Sequence, residues 1–173
     1  MWLCSDAYYS IRDTLQTKPI NVGNVEITQS MLLGGLGLDR GRKLDCDSAG
    51  NCTLFGSTFK SFGESTDIFV IRLNPNHTPE WARTYGGTNK DTLQDVVASR
   101  DGGYLLFGSS QSLFITPLKV LSPHRVPRPL IVKLSHGGDV EWAKLVQFND
   151  SKAQTKLFSA TQTTDGGFVL VGQ

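Results

Sequence analysis

DIFVIRLNPNHTPEWARTYGGTNKDTLQDVVASRDGGYLLFGSS, residues 67–110, holds four short apolar or alternating runs: IFVIRL, EWARTY, LQDVVA and YLLFGSS. Clusters of Gly, Asn, Pro and Asp separate them, so they read as four strands joined by tight turns. The runs IFVI and YLLF are apolar at consecutive positions, where a strand in a sheet with one wet face would alternate. Both faces of these strands must therefore be covered, and other sheets of the same kind are the natural cover.

The rest of the chain supplies them. With an offset of 52, residues 34–57 lie on 86–109 without a gap and share eight of 24 positions, among them Asp39 with Asp91 and the run LFGS at 54–57. With an offset of 61, IFVIRLNPNHTPEWAR at 68–83 lies on PLIVKLSHGGDVEWAK at 129–144, which superposes Trp81 on Trp142 and Arg72 on Lys133. With an offset of 64, SRDGGYLLFG at 99–108 lies on TTDGGFVLVG at 163–172, and Tyr104 meets Phe168. A period near 50 with four strands per unit predicts an all-β chain, a partial β-propeller of four-stranded antiparallel blades in about three repeats. Trp81, Trp142, Tyr104 and Phe168 are expected between blades, and the Gly-Gly pairs at 34, 86 and 102 in turns where φ is positive or a side chain would clash.

The expected organisation is a degraded preceding repeat or N-terminal extension at 1–30, then repeats at about 31–85, 86–149 and an incomplete 150–173. In the first thirty residues MWLCS falls on TLFGS of the next repeat and Asn24 on Asn76, which favours a strand remnant. Tyr8, Ile11 and Leu15 also fit one helical face. The growing offset marks an insertion, QSLFITPLKVLSPHRVPR at 111–128, which carries three basic residues, a histidine and no acid. It reads as a protruding loop or extra hairpin at one rim.

Composition narrows the function classes. Seventeen Lys and Arg against 16 Asp and Glu give a net charge of +1, so no global field draws a polyanion, and nucleic acid is not an expected partner. No apolar run reaches the roughly 20 residues that cross a bilayer, and MWLCSDAYYS lacks the basic and apolar regions of a signal peptide. Three cysteines are too few for a disulfide framework or a four-ligand zinc site. Cys46 and Cys52 flank the turn DSAGN; they are either bridged across a hairpin or two buried thiols, the second being the default expectation.

The segment LGLDRGRKLDCDSAGNCTLFGST at 36–58 resembles the bacterial β-propeller repeat with its Asp, Gly-Asn and Gly-Ser-Thr landmarks. The segment DIFVIRLNPNHTPEWARTYGG with TLQDVVASRDGGYLLFGSS resembles the related repeat of large extracellular proteins. That pattern runs from an aspartate through an apolar strand ending in a base and Leu, to Trp, Gly-Gly and Asp-Gly-Gly-Tyr. The resemblance covers about 32–173 apart from the insertion; it implies a secreted or cell-surface location and brings no shared catalytic residues. The third unit departs from it, because Asp150 and Ser151 stand where the Gly-Gly pair belongs, which predicts an irregular first strand there.

Chemistry-bearing residues are dispersed. His77, His124 and His136 have no partner at metal-ligand spacing and read as solvated turn residues. DCDSAGN at 45–51 is a poor calcium loop, since its twelfth place, a glutamate in an EF-hand, is Gly56. Asp39 with Asp91 and Asp101 with Asp165 recur at turn positions, where an Asp side chain caps backbone N–H groups. Sequons start at Asn51, Asn76 and Asn149. No nucleophile elbow, phosphate loop or zinc helix is present, so no catalytic residue, metal ligand or cofactor is assigned.

Two functions follow as expectations. The first is a non-enzymatic propeller segment, a structural or binding scaffold that offers rim loops to a protein or glycan partner. The alternative is a fragment of an enzyme propeller, similar to a quinone-dependent dehydrogenase, a lyase or a glycosidase, with most of its site outside this chain. Because a closed ring takes about four to eight blades, about three leave apolar blade faces open. That predicts a longer parent or self-association of copies through those faces.

Overall fold

The computed structural model describes residues 10–13, 20–22, 25–27, 32–34, 38–59, 65–87, 89–112, 126–146 and 156–173. All regular structure among them is β. Strand β1 (Ser10–Asp13) is followed by β2 (Ile20–Val22), β3 (Val25–Ile27) and β4 (Leu32–Gly34); β1 pairs antiparallel with β4, and β2 with β3. Ile11 is thus extended. The remaining residues of the two N-terminal readings, among them Tyr8, Leu15 and the MWLCS segment, lie outside the described set.

A first antiparallel sheet contains β5 (Asp39–Cys46), β6 (Cys52–Phe59), β7 (Thr66–Leu73) and β8 (Pro79–Tyr85), neighbours in that order. A second repeats the order with β9 (Asp91–Ala98), β10 (Tyr104–Ser110), β11 (Arg128–Leu134) and β12 (Val140–Leu145). A hairpin of β13 (Leu157–Gln162) and β14 (Phe168–Gly172) follows. The stretch 67–110 supplies the last two strands of one sheet and the first two of the next, and the chain changes sheets between Tyr85 and Asp91.

The consecutive apolar runs find cover on both sides. All eight residues of β7 are buried, and six of the seven in β10. Phe55, Ile68 and Val70 of the first sheet form one core with Leu93, Val96, Leu106 and Val132 of the second. The Tyr104 ring meets Phe55 edge-on at 4.8 Å between centroids, and burying a side chain of that size stabilises by about 2–3 kcal/mol. On the other face of the first sheet Phe69, Ile71 and Leu73 form a separate cluster with Leu54 and Ala82.

The hairpin turns share one geometry. In 47–50, 74–77, 99–102, 135–138 and 163–166 the N–H of the fourth residue donates to the carbonyl of the first, at 2.8–3.1 Å. That fourth residue has positive φ in every case: Gly50, Gly102, Gly138, Gly166 and, in the second turn, His77 with φ 59°. A side chain in the left-handed region costs about 1 kcal/mol that glycine avoids. His77→Gly is therefore expected to raise stability by about 0.5–1 kcal/mol, read as a shift in the urea midpoint; a loss would mean that the imidazole makes a stabilising contact. Gly86 and Gly103 serve the other expected purpose: a Cβ at Gly86 would run into the Asp67 carboxylate, and one at Gly103 into the Leu134 carbonyl.

Cys46 and Cys52 correct the thiol expectation. They are cross-strand partners at the end of β5 and β6, with Cα atoms 4.1 Å apart, and form a disulfide. The register explains it, because a four-residue turn closing on Asp47 and Asn51 puts the flanking residues directly opposite each other. Cys46 is exposed and Cys52 half-buried, so neither is a core thiol.

Candidate functional site

Charge is concentrated at the hairpin turns, around one nearly buried cation per sheet. In the first sheet Arg72, on β7, is about 6% exposed; its Nη2 lies 3.0 Å from Asp47 Oδ2 and its Nε 3.3 Å from Glu80 Oε2. In the second, Lys133 on β11 is about 5% exposed, with Nζ 2.8 Å from Asp101 Oδ2 and 3.2 Å from Glu141 Oε2. Each base thus joins the turn between the first two strands to the fourth strand. Trp81 stands opposite Arg72, and Trp142 opposite Lys133, on the neighbouring strand. A second base covers each ring, Arg83 over Trp81 at 5.6 Å and Lys144 over Trp142 at 5.4 Å.

The acids reach their cations by different routes. Asp47 opens its turn and accepts from the N–H groups of Ala49 and Asn51 and from the Asn51 amide. In the second turn the opening position is Ser99, whose hydroxyl donates to Asp101 Oδ1; the Gly103 N–H donates to the same oxygen at 2.8 Å. The hydrogen bond from Lys133, then that from Ser99, pulls the Asp101 carboxyl down to about 2. Thr163 and Gly167 repeat this pattern on Asp165 Oδ1 and lower that carboxyl too. In the weak calcium-loop segment, Arg72 supplies the positive charge beside Asp47.

Asp91 belongs to a different setting, at the head of β9 where the sheets meet. It is fully buried, and its Oδ2 accepts from the Gly87 N–H at 2.8 Å and the Ser112 hydroxyl at 2.6 Å. Burial pushes its carboxyl up, and the nearby Asp67 adds to the rise. Asp39 holds the corresponding place at the head of β5.

Contacts between sheets are polar at the margins. Arg42 Nε donates to the Gln94 carbonyl at 2.8 Å, and Lys43 pairs with Asp95 at 3.5 Å, joining β5 to β9. The Tyr85 hydroxyl donates to the Gly138 carbonyl at 2.7 Å, and Arg83 pairs with Asp139. The Tyr104 hydroxyl donates to Thr53 Oγ1 at 3.0 Å. Between the second sheet and the last hairpin, the Arg100 N–H donates to Gln162 Oε1 at 2.8 Å, and its guanidinium to the Thr164 carbonyl at 3.1 Å. There Leu105 and Phe168 replace Thr53 and Tyr104 and line a common cleft, so apolar side chains stand where the first junction has a hydroxyl pair.

The remaining sequence candidates do not converge. His77 is in its turn, and His136 Nδ1 lies 3.1 Å from the Gly102 carbonyl, tying two turns of one sheet. Among the described residues, no three His, Cys, Asp or Glu are gathered as a metal site. Asn76 is exposed, whereas the sequon at Asn51 runs into the bridged Cys52 and the fully buried Thr53. His124, Asn149, Asp150, Ser151 and the insertion apart from its ends lie outside the described set. Trp81 packs against the shared core under the Gly138 hairpin, while Trp142 stays 38% exposed.

The cation clamps were not assigned a role from the sequence. A signal was available: the offset of 61 that carries Arg72 onto Lys133 also carries Glu80 onto Glu141. No protein-family profile matches the chain, and no curated protein matches it at a significant level.

Proposed function

We propose that the chain is part of a β-propeller and serves as a non-enzymatic structural or binding scaffold of a secreted or surface protein. Its rim loops would meet a protein or glycan partner. The observation that supports this reading is the stacking of repeated sheets: β9 lies against β5, β6 and β7 of the first sheet and against β13 of the last hairpin, and the two four-stranded sheets share one apolar core. Four-stranded sheets of like order stacked through apolar faces suit the blades of a propeller. The exposed Cys46–Cys52 disulfide supports an oxidising compartment.

The test is the solution mass of the chain by light scattering, with far-ultraviolet circular dichroism on the same sample. The expected result is β-rich material that is either a discrete dimer or trimer, in which copies complete a ring, or a polydisperse association of open blade faces. A monodisperse β-rich monomer would overturn the incomplete-stack reading.

A further inference from the structure

We propose that the cleft between the first two sheets, walled by Arg40, Arg42 and Lys90, binds an acidic saccharide through its carboxylate or sulfate groups. The inference goes beyond the scaffold reading, because it places a ligand between the sheets and depends neither on a rim loop nor on ring closure.

Three observations define the ligand. First, the cleft is basic and of small-molecule size. Arg40 and Arg42 come from β5, Phe59 from the end of β6 and Lys90 from the residue before β9, around a volume of about 510 Å³. Small-molecule sites run from roughly 300 to 1,000 Å³. All three cations are exposed, and no acid is found among the described residues that line the cleft. The acids of β9 have other partners: Asp91 accepts from Gly87 and Ser112, and Asp95 pairs with Lys43. The positive excess is local, which a net charge of +1 does not reveal.

Second, the cations are not part of the repeat. The offset of 52 carries Gly56 and Ser57 onto Gly108 and Ser109, but Arg40 onto Thr92 and Arg42 onto Gln94. The offset of 64 carries Lys90 onto Gln154. Thr92, Gln94, Gly108 and Ser109 line the corresponding cleft beside the last hairpin, where Lys156 is the single base among the described residues. Residues that build the junction recur, whereas the cluster of three bases belongs to one junction.

Third, the groups on the walls suit a hydroxylated acid. Guanidinium forks take the oxygens of a carboxylate or sulfate in pairs. Arg40 lies over the Phe59 ring at 5.6 Å, which props its guanidinium. Arg42 is held by its Nε on the Gln94 carbonyl at 2.8 Å, which leaves its outer two nitrogens for a ligand. Ser57, Thr66, Thr92 and Gln94 add hydroxyl and amide groups that match sugar hydroxyls. An extended peptide suits the cleft less well. Ser57 accepts from the Leu93 N–H at 3.1 Å and Arg42 donates to the Gln94 carbonyl, so side chains of the first sheet already hold main-chain groups on the free edge of β9.

The experiment is calorimetric titration of the whole chain with digalacturonate, a sulfated galactose disaccharide and neutral digalactose. Saturable binding of an acidic sugar is expected, at least about tenfold tighter than the neutral one and weakened several-fold by about 0.5 M sodium chloride. The tighter of the two acidic sugars identifies the acid group. Arg40→Gln and Lys90→Gln should each weaken binding about five- to tenfold and leave the urea midpoint unchanged, because both side chains are exposed. If one of them fails to fold, the other reads the same contact. Lys156→Gln, in the other cleft, should leave the affinity unchanged.

Absence of saturable binding by both acidic sugars, equal binding of the neutral sugar, indifference to both variants or an equal loss with Lys156→Gln would each overturn the proposal. So would tetraglutamate or inorganic sulfate bound as tightly, since charge alone would then account for the binding. A monomeric chain that binds the acidic sugar would sink the incomplete-stack reading and keep this one.

Discussion

Removing both acids around Lys133, by Asp101→Asn with Glu141→Gln, is expected to destabilise the chain by about 2–3 kcal/mol, while Lys133→Met changes stability by less than about 1 kcal/mol. The asymmetry follows from burial. The lysine is about 5% exposed and its carboxylates are 53% and 43% exposed, so the acids return to water at little cost, whereas the ammonium cannot. Its Nζ also donates to the Leu134 carbonyl at 3.0 Å, which leaves it hydrogen-bonded but uncompensated in charge.

The same clamp predicts a pH dependence. Asp101 titrates near 3.8 when unfolded and is held at about 2 in the fold, so its contribution is present above about pH 4 and fades as pH falls toward 2. Asp91 acts in the opposite sense: its raised carboxyl gains stability on protonation as pH falls through its folded value. Urea unfolding at about pH 7, 4 and 2.5 should show the unaltered chain losing more stability than Lys133→Met over the last step. Equal acid losses in the two proteins would remove the clamp from the account.

How far the sequence discloses this chain depends on whether a feature is local. IFVI and YLLF declare strands covered on both faces because they are short apolar runs bounded closely by turn residues, and β7 and β10 have that burial. The turn glycines were legible only in part: of the pairs at 34, 86 and 102, Gly102 has the positive φ, Gly86 is held by a clash with Asp67 and Gly34 ends β4, while the same turn position is filled by His77 where no glycine marks it. The disulfide was harder: Cys46 and Cys52 fit a buried pair as well as a bridged one until the turn fixes them as opposite partners. The clamps were hidden because an acid at the first turn position in one sheet, Asp47, is replaced by one at the third position in the next, Asp101. No single offset aligns the two, though they do the same electrostatic task.

Gly108→Ala is expected to be the most damaging small substitution in the second sheet, costing more than about 3 kcal/mol. The pairing of β9 with β10 slips by one residue beside Phe107 and Gly108, and this bulge drives the Thr92 carbonyl toward the glycine. A Cβ there would stand deep inside contact with that oxygen and 3.0 Å from its carbon. Both atoms are backbone, so no rotamer relieves the clash, and the two strands would have to separate where their residues enter the shared core. Gly41→Ala is the control: its Cβ would meet only the Leu54 side chain at an ordinary 3.8 Å, and a change within about 0.5 kcal/mol is expected. The same bulge sets Gly56 against the Arg40 carbonyl and Gly172 against the Lys156 carbonyl, so the glycine recurs for a steric reason. The costs should nevertheless differ. Gly56 and Gly108 lie in strands held on both sides, whereas among the described residues β14 pairs with β13 alone and can shift away, so Gly172→Ala should cost less than half as much. Urea midpoints for the four variants give the ranking; equal losses at Gly108 and Gly172 would show that the clash, and not the confinement of the strand, sets the cost.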